Sequence, residues 1–232
     1  MMEMDTIQEL WTYYIVNGSY VWEQFSRHFL MSIYGVLFAA IVGIPVGILI
    51  ARYGKLSNVI LSLTNIIQTI PALAMLAVLM VVMGLGANTV VMSLFLYSLL
   101  PIIKNTYIGI KSVDYAILEA GRAVGMTPWQ RLYMVELPLS LSVIMAGIRT
   151  ALVIAIGVAT IGAFIGGGGL GSIIIRGTNV TDGAAIILAG AIPTALMAVI
   201  ADFVLGRIEH ALSPANKKRT TINTDHPKQA TS

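Results

Sequence analysis

Between Lys55 and Lys104 lie 48 consecutive residues, Leu56 to Ile103, without a single charged side chain. About 20 apolar helical residues already cross a hydrocarbon core of about 30 Å, so the run is expected to hold two membrane spans. Gly84-Leu85-Gly86-Ala87-Asn88 is the natural place to divide them, because glycine and asparagine punctuate helices. The second of the two is expected to continue past Lys104, whose long stem can carry its ammonium to the interface. Other charge-poor runs are Phe29 to Ala51, ending at Arg52; Thr150 to Ile175, where the glycine cluster Gly166 to Gly169 closes the span; and roughly Gly183 to Ala201. Five spans are expected. With 57% hydrophobic and 11% charged residues, against roughly 25% charged in an average soluble domain, the chain is read as all-α and polytopic.

The basic residues orient it. Arg52 and Lys55 lie between spans one and two, and Lys111, Arg122 and Arg131 between three and four. Arg207, Lys217, Lys218, Arg219 and Lys228 follow span five, while the opposite side holds only Arg27 and Arg176. The excess of Lys and Arg inside predicts an external N-terminus and a cytoplasmic C-terminus, as an odd number of spans requires. Before span one, Trp11, Tyr14, Ile15, Gly18, Trp22 and Phe25 recur at helical intervals, and aromatic residues favour the membrane boundary. Residues 1–28 are therefore expected to form an external interfacial helix, since Asn17, Gly18, Ser19, Glu23 and Gln24 interrupt the apolar run. Residues 29–212 are expected to form the membrane domain, and 213–232 a polar, disordered cytoplasmic tail. Glu3, Asp5 and Glu9, without a basic n-region, argue against a cleaved signal peptide.

Several chemistries are excluded. There is no cysteine, and His28, His210 and His226 lie too far apart for metal-ligand spacing. Gly166 to Gly171 reads GGGGLG, yet no lysine followed by Ser or Thr accompanies it, so it is no nucleotide cradle and is expected to be a tight, flexible turn. No cofactor, metal, catalytic residue or nucleic-acid partner is expected.

The loop between spans three and four, residues 111–138, has the internal logic of two short helices. Val113, Ile117, Ala120 and Val124 fall on one apolar stripe, with Asp114, Glu119 and Arg122 off it. Gly125 is a plausible helix-ending glycine. Thr127 followed by Pro128 suits an N-cap and a first-turn proline opening the second helix. Small Ala120 and Gly121 would let a partner backbone approach, and Glu119 can accept charge-assisted hydrogen bonds. The alternative is an ordinary loop on the membrane surface.

Polar residues within spans are few: Asn65, Gln68 and Thr69 on one face before the kink expected at Pro71, then Tyr97 and Thr160. They are candidates either for a translocation pathway or for interhelical hydrogen bonds. Tyr97 is the mid-span aromatic whose ring face can attract a cation. Arg149 is expected to snorkel to the interface, and the lack of a mid-span acid disfavours a proton-coupled carrier. Gly43 and Gly47, and Ala151, Ala155, Ala159 and Ala163, form small-residue ridges suited to close helix packing within a bundle or across a dimer seam.

Glu119 to Pro138 reads EAGRAVGMTPWQRLYMVELP. This resembles the coupling loop of ABC importer permeases, Glu-Ala-Ala, three residues, Gly, nine residues, Ile-x-Leu-Pro, with Gly121 in place of the second Ala and Val135 in place of the Ile. The pattern places Glu119, Ala120, Gly121, Gly125, Val135, Leu137 and Pro138 at its named positions. IVGIPVGILIARYG (41–54), IIQTIPALAMLA (66–77), ATIGAFIGGGGLGSIIIRGTN (159–179) and IPTALMAVIADFVLGRIE (192–209) are similar to permease subunits of bacterial glycine betaine/carnitine/choline (osmoprotectant) ABC importers. The resemblance implies the type I importer permease fold in a bacterial plasma membrane. Its implied partners are two cytoplasmic ATPase subunits, a second permease copy, identical or paralogous, and an external binding protein for a small zwitterionic or quaternary ammonium solute. IGGGGLG also resembles methionine-importer permeases, so methionine or another small amino-acid-like solute is the alternative cargo.

Overall fold

In the computed structural model, which describes residues 2–213, helices follow one another with few connecting residues. Helix α1 runs from Met2 to Arg52. Two helices meet within it at a kink at Asn17, and the longer, C-terminal one alone exceeds a hydrocarbon core of about 30 Å. Helix α2 (Gly54–Thr69) and α3 (Ala72–Met83) meet at a 97° bend and together form one broken span. Helix α4 (Ala87–Lys111) is followed by α5 (Tyr115–Ala123), α6 (Pro128–Arg131), a π-helical turn (Leu132–Glu136) and α7 (Leu137–Ile161). A short 3-10 turn (Gly162–Ile165) leads to α8 (Leu170–Thr178), and α9 (Ala184–Leu212) closes the described chain. Among the described residues, four helical stretches are long and apolar enough to cross a membrane, or five with the bent pair, which agrees with the expected number.

The bundle is built around α1, α4, α7 and α9, with α1 on α4, α4 on α7, and α7 on α9. Leu76, Val90, Leu94, Ile102, Ile156, Leu170 and Ile173 are fully buried in its core. Small residues set the spacing. A Cβ on Gly47 would lie 2.6 Å from Thr106 Cβ, and one on Gly43 3.0 Å from Ile102, so α1 and α4 touch almost backbone to backbone. Ala151, Ala155 and Ala159 are wholly buried on α7, which makes that ridge a seam inside the chain. The outside is apolar instead: Val81 and Val82 are over 80% exposed, and Leu37, Ile41 and Val199 are also exposed. Such a surface suits a protein whose solvent is lipid.

Three expectations change. First, α1 has no break between residues 28 and 29; only Asn17 leaves helical backbone angles (φ −112°, ψ 17°). The polar residues that seemed to interrupt it include Gln24, which faces inward at 6% exposure, while Trp11, Ile15 and Trp22 are turned outward. Second, the fourth span is longer at its start than the charge-free run from Thr150: it begins at Leu137, where a helix is expected from Pro138, and ends at Ile161, just before the glycine cluster expected to close it. Arg149 is ion-paired with Asp202 and Glu209 of α9, which lets the helix carry a charge. Third, the glycine cluster is fastened rather than flexible. Gly166, Gly168 and Gly169 have φ of 76°, 76° and 79°, a region open to glycine, and they end one helix and turn the chain into α8. Gly169 N donates to Gln24 Oε1 (2.8 Å), as does Ser172 Oγ (3.2 Å). Gly86 N donates to the Ile165 carbonyl at 2.9 Å, tying the turn to the start of α4. The polar tail expected over 213–232, with its basic cluster, lies outside the described residues apart from Ser213.

Candidate functional site: the loop between α4 and α7

Asp114 opens α5 as its N-cap, accepting from Ala116 N at 2.9 Å. Nine residues later the helix stops in a Schellman motif: Gly125 N donates to the Arg122 carbonyl (2.9 Å) and Met126 N to that of Gly121 (3.0 Å). Gly125 sits at φ +82°, and a Cβ placed on it would have no atom within 4 Å, so conformation rather than space selects glycine there. Thr127 then forms a complete capping box with Gln130, Thr127 N to Oε1 at 2.8 Å and Gln130 N to Oγ1 at 3.3 Å, with Pro128 in the first turn. Each short helix is thus fixed by its own ends.

The loop has an inner and an outer side. Val113 is buried, whereas Tyr115, Ile117, Glu119, Ala120, Val124 and Trp129 are exposed. Most of the expected apolar stripe therefore faces outward, unpartnered within this chain. Gly121 is buried, and its hypothetical Cβ would stand 3.4 Å from Met126 Sδ and 3.8 Å from Arg131 Cδ. A methyl group would fit there, consistent with alanine at this point of the pattern.

Beneath α5 lies a charged fastening that sequence reasoning missed. Glu136, 4% exposed, accepts from Arg131 Nε at 3.1 Å and from Arg52 Nη2 at 2.9 Å. Arg131 itself is 9% exposed. One carboxylate at the end of the π turn thus joins the loop to the last residue of α1. The only sequence signal was a lone acid between Val135 and Leu137. Leu137 packs on a small cluster of Ala51, Ile110 and Leu132, anchoring the Leu-Pro end of the loop to α1 and α4. Val135 is half-buried and Pro138 exposed. The seven residues of the pattern are spread over α5, the turn that follows it, the π turn and the start of α7, and Leu137 packs against the ends of α1 and α4.

The polar residues of the spans do not converge on one cavity. Asn65 and Thr69 are exposed on α2, and Gln68 is half-buried. Tyr97 is 4% exposed, with its hydroxyl donating to the Ile70 carbonyl and its own carbonyl accepting from Gln68 Nε2 at 3.5 Å. It braces the elbow where Pro71 breaks the span. Thr160 is half-buried, its hydroxyl donating to the Ile156 carbonyl at 3.4 Å. His28 Nε2 donates to that same carbonyl at 2.9 Å. Among the described residues no cluster of His, Asp or Glu could hold a metal ion.

Residues 43–214 match the family described as binding-protein-dependent transport system inner membrane component. The chain is 71% identical to the glycine betaine/carnitine/choline transport system permease protein OpuCD of Bacillus subtilis, over 93% of this chain and 94% of that one. It is 68% identical to the choline transport system permease protein OpuBD of the same organism, covering 94% and 96%. It is 67% identical to the carnitine transport permease protein OpuCD of Listeria monocytogenes, covering 94% and 98%. Its fold is that of a chain in inward-facing structures of the MetNI methionine ABC transporter, with a TM-score of 0.76 and 22% identity over 83% of this chain and 96% of that one. The type I ABC importer permease fold follows from that superposition.

Proposed function

Because this chain belongs to the inner membrane component family of binding-protein-dependent transport systems, we propose that it is the permease subunit of an ATP-driven importer of glycine betaine, carnitine or choline. The observation that carries the cargo is 71% identity along nearly the whole chain to a permease of that named specificity. The likeness to a methionine transporter, at 22% identity, concerns the fold alone.

In this reading α5 faces the cytoplasm and docks on a separate ATPase subunit, which performs the hydrolysis. Its exposed Ile117, Ala120 and Val124 enter the partner and Glu119 accepts hydrogen bonds at the rim. Movement of α5 passes through Gly121 to Arg131, and from there through Glu136 to Arg52 and α1. Two ATPases, a second permease copy and an external binding protein complete the assembly, with the N-terminus of this chain outside. Asn65, Gln68 and Thr69 on α2 line the pathway beside the elbow that Tyr97 braces, and Thr160 lies on α7. Neutral polar groups suit a zwitterion or quaternary ammonium that must be released into the cell.

Radiolabelled uptake into vesicles with ATP trapped inside, with and without binding protein, tests this. Accumulation of a betaine-like solute that requires ATP and survives a proton ionophore is expected. Uptake of methionine but no betaine would replace the cargo, and uptake driven by a proton gradient without ATP would overturn the ABC reading.

A further inference from the structure

The end of α1 forms one wall of a groove of about 550 Å³, and α6 with the π turn forms the other. Its composition changes along its length. Ile48 and Leu49 line the part beside the membrane span, and Tyr53, Trp129 and Tyr133 line the part beyond it, with Arg52 between. Trp129 and Tyr133 are stacked, with ring centroids 6.0 Å apart. Leu49, Tyr53, Trp129 and Tyr133 are each between 46% and 68% exposed, so the groove opens outward.

This order of groups follows the order of environments at a bilayer surface, hydrocarbon first and then the interfacial zone that aromatic rings prefer. The groove also continues the exposed row Phe38, Val42 and Leu49 on α1, whose spacings of four and seven residues put all three on one helix face. Its charge is unbalanced. Arg52 and Arg131 share the single carboxylate of Glu136, which leaves one positive charge, and exposed Lys55 adds another three residues on.

We propose that this groove binds one anionic glycerophospholipid, with an acyl chain along Ile48 and Leu49 and its phosphate facing Arg52 and Lys55. A bilayer-facing apolar wall fits the chain, and the surplus positive charge selects an acidic headgroup over a zwitterionic one. One Lys or Arg near the surface favours an acidic lipid by about five-fold.

The test is native mass spectrometry of the full chain, extracted in mild detergent and supplied with equal amounts of phosphatidylglycerol and phosphatidylcholine carrying the same acyl chains. One phosphatidylglycerol per chain is expected, preferred by about thirty-fold, about five-fold for each of the two charges. Lys55→Gln should reduce the preference while still binding lipid, and Leu49→Trp, which fills the groove, should lose both lipids. Ile48→Phe is the second filling variant should Leu49→Trp fail to fold. Equal retention of the two lipids by the native chain, or unchanged phosphatidylglycerol in a folded filling variant, would overturn the proposal. So would efficient cross-linking in membranes from Tyr133→Cys to a second copy or to an ATPase, which would give the groove to protein.

Discussion

Arg149 of α7 meets Asp202 of α9 side-on, Nε to Oδ1 at 2.6 Å and Nη2 to Oδ2 at 2.7 Å, while its Nη1 reaches Glu209 Oε2 at 3.1 Å. All three guanidinium nitrogens and both Asp202 oxygens are engaged, a geometry lysine cannot reproduce. The guanidinium also lies against Gly206, where a Cβ would stand 3.0 Å from Nη1. Two spans are thus held in register, through residues 53 apart in the sequence, by charge and by the absence of a side chain.

Arg149→Lys is therefore expected to lower the thermal unfolding temperature of the detergent-solubilised chain, and Arg149→Ala to lower it further. Exchanging the charges, Arg149→Asp with Asp202→Arg, should recover part of the loss. A single Arg149→Ala variant that unfolds at the native temperature would show that the pair does not hold α7 to α9.

Glu136→Gln should separate hydrolysis from transport. The substitution leaves Arg52 and Arg131 without a counter-charge at a site where the carboxylate side chain is 5% exposed. Removing one member of a buried ion pair costs on the order of 3 kcal/mol. With α5 intact, the ATPase is expected to remain bound and active, while solute moved per ATP falls. The ratio of uptake to phosphate release in reconstituted vesicles measures it, and an unchanged ratio would refute the linkage.

Gly121 and Gly125 should respond oppositely to a methyl group or larger. Gly121→Ala places its Cβ in ordinary contact with Met126 Sδ at 3.4 Å and should transport normally. Gly125→Leu forces a side chain into the left-handed region at φ +82°, at about 1–2 kcal/mol, and undoes the end of α5. Membrane insertion should persist while ATPase co-purification and uptake fall. Normal uptake in Gly125→Leu would count against α5 as the docking element.

Tyr97 offers a choice between its hydroxyl and its ring. Tyr97→Phe removes the donor to the Ile70 carbonyl, worth about 1 kcal/mol, but keeps the aromatic face. If the residue braces the elbow at Pro71, Phe and Leu variants should be similarly slow in uptake. Normal uptake with Phe and a raised KM for choline with Leu would instead give the ring a part in cation binding.

What was legible in the sequence was local. Gly125, Thr127 and Pro128 announce helix ends because caps act within a few residues, and all three do so in the structure. The turn at Gly84 to Asn88 and the kink at Pro71 were legible for the same reason. Partnerships across the chain were not. Arg149 cut the apolar run, and its neutralising acids, 53 and 60 residues away, could not be read from it. Gln24 looked like an interruption, since hydropathy along a line cannot show that its amide meets Gly169. Glu136 stood in an unconstrained position of a pattern, and only packing shows that two arginines converge on it.

Between Gln24 and Arg52 the backbone of α1 stays helical, a length of about 42 Å at 1.5 Å per residue. One end grips the glycine turn through Gln24; the other is clasped by Glu136 beneath α5. A helix of that kind behaves as a push-rod. Rotation or sliding imposed at one membrane face arrives at the other without passing through a loop that could absorb it. In the proposed importer this one helix, with Pro45 as its interior proline, would therefore join the glycine turn to the loop beneath α5.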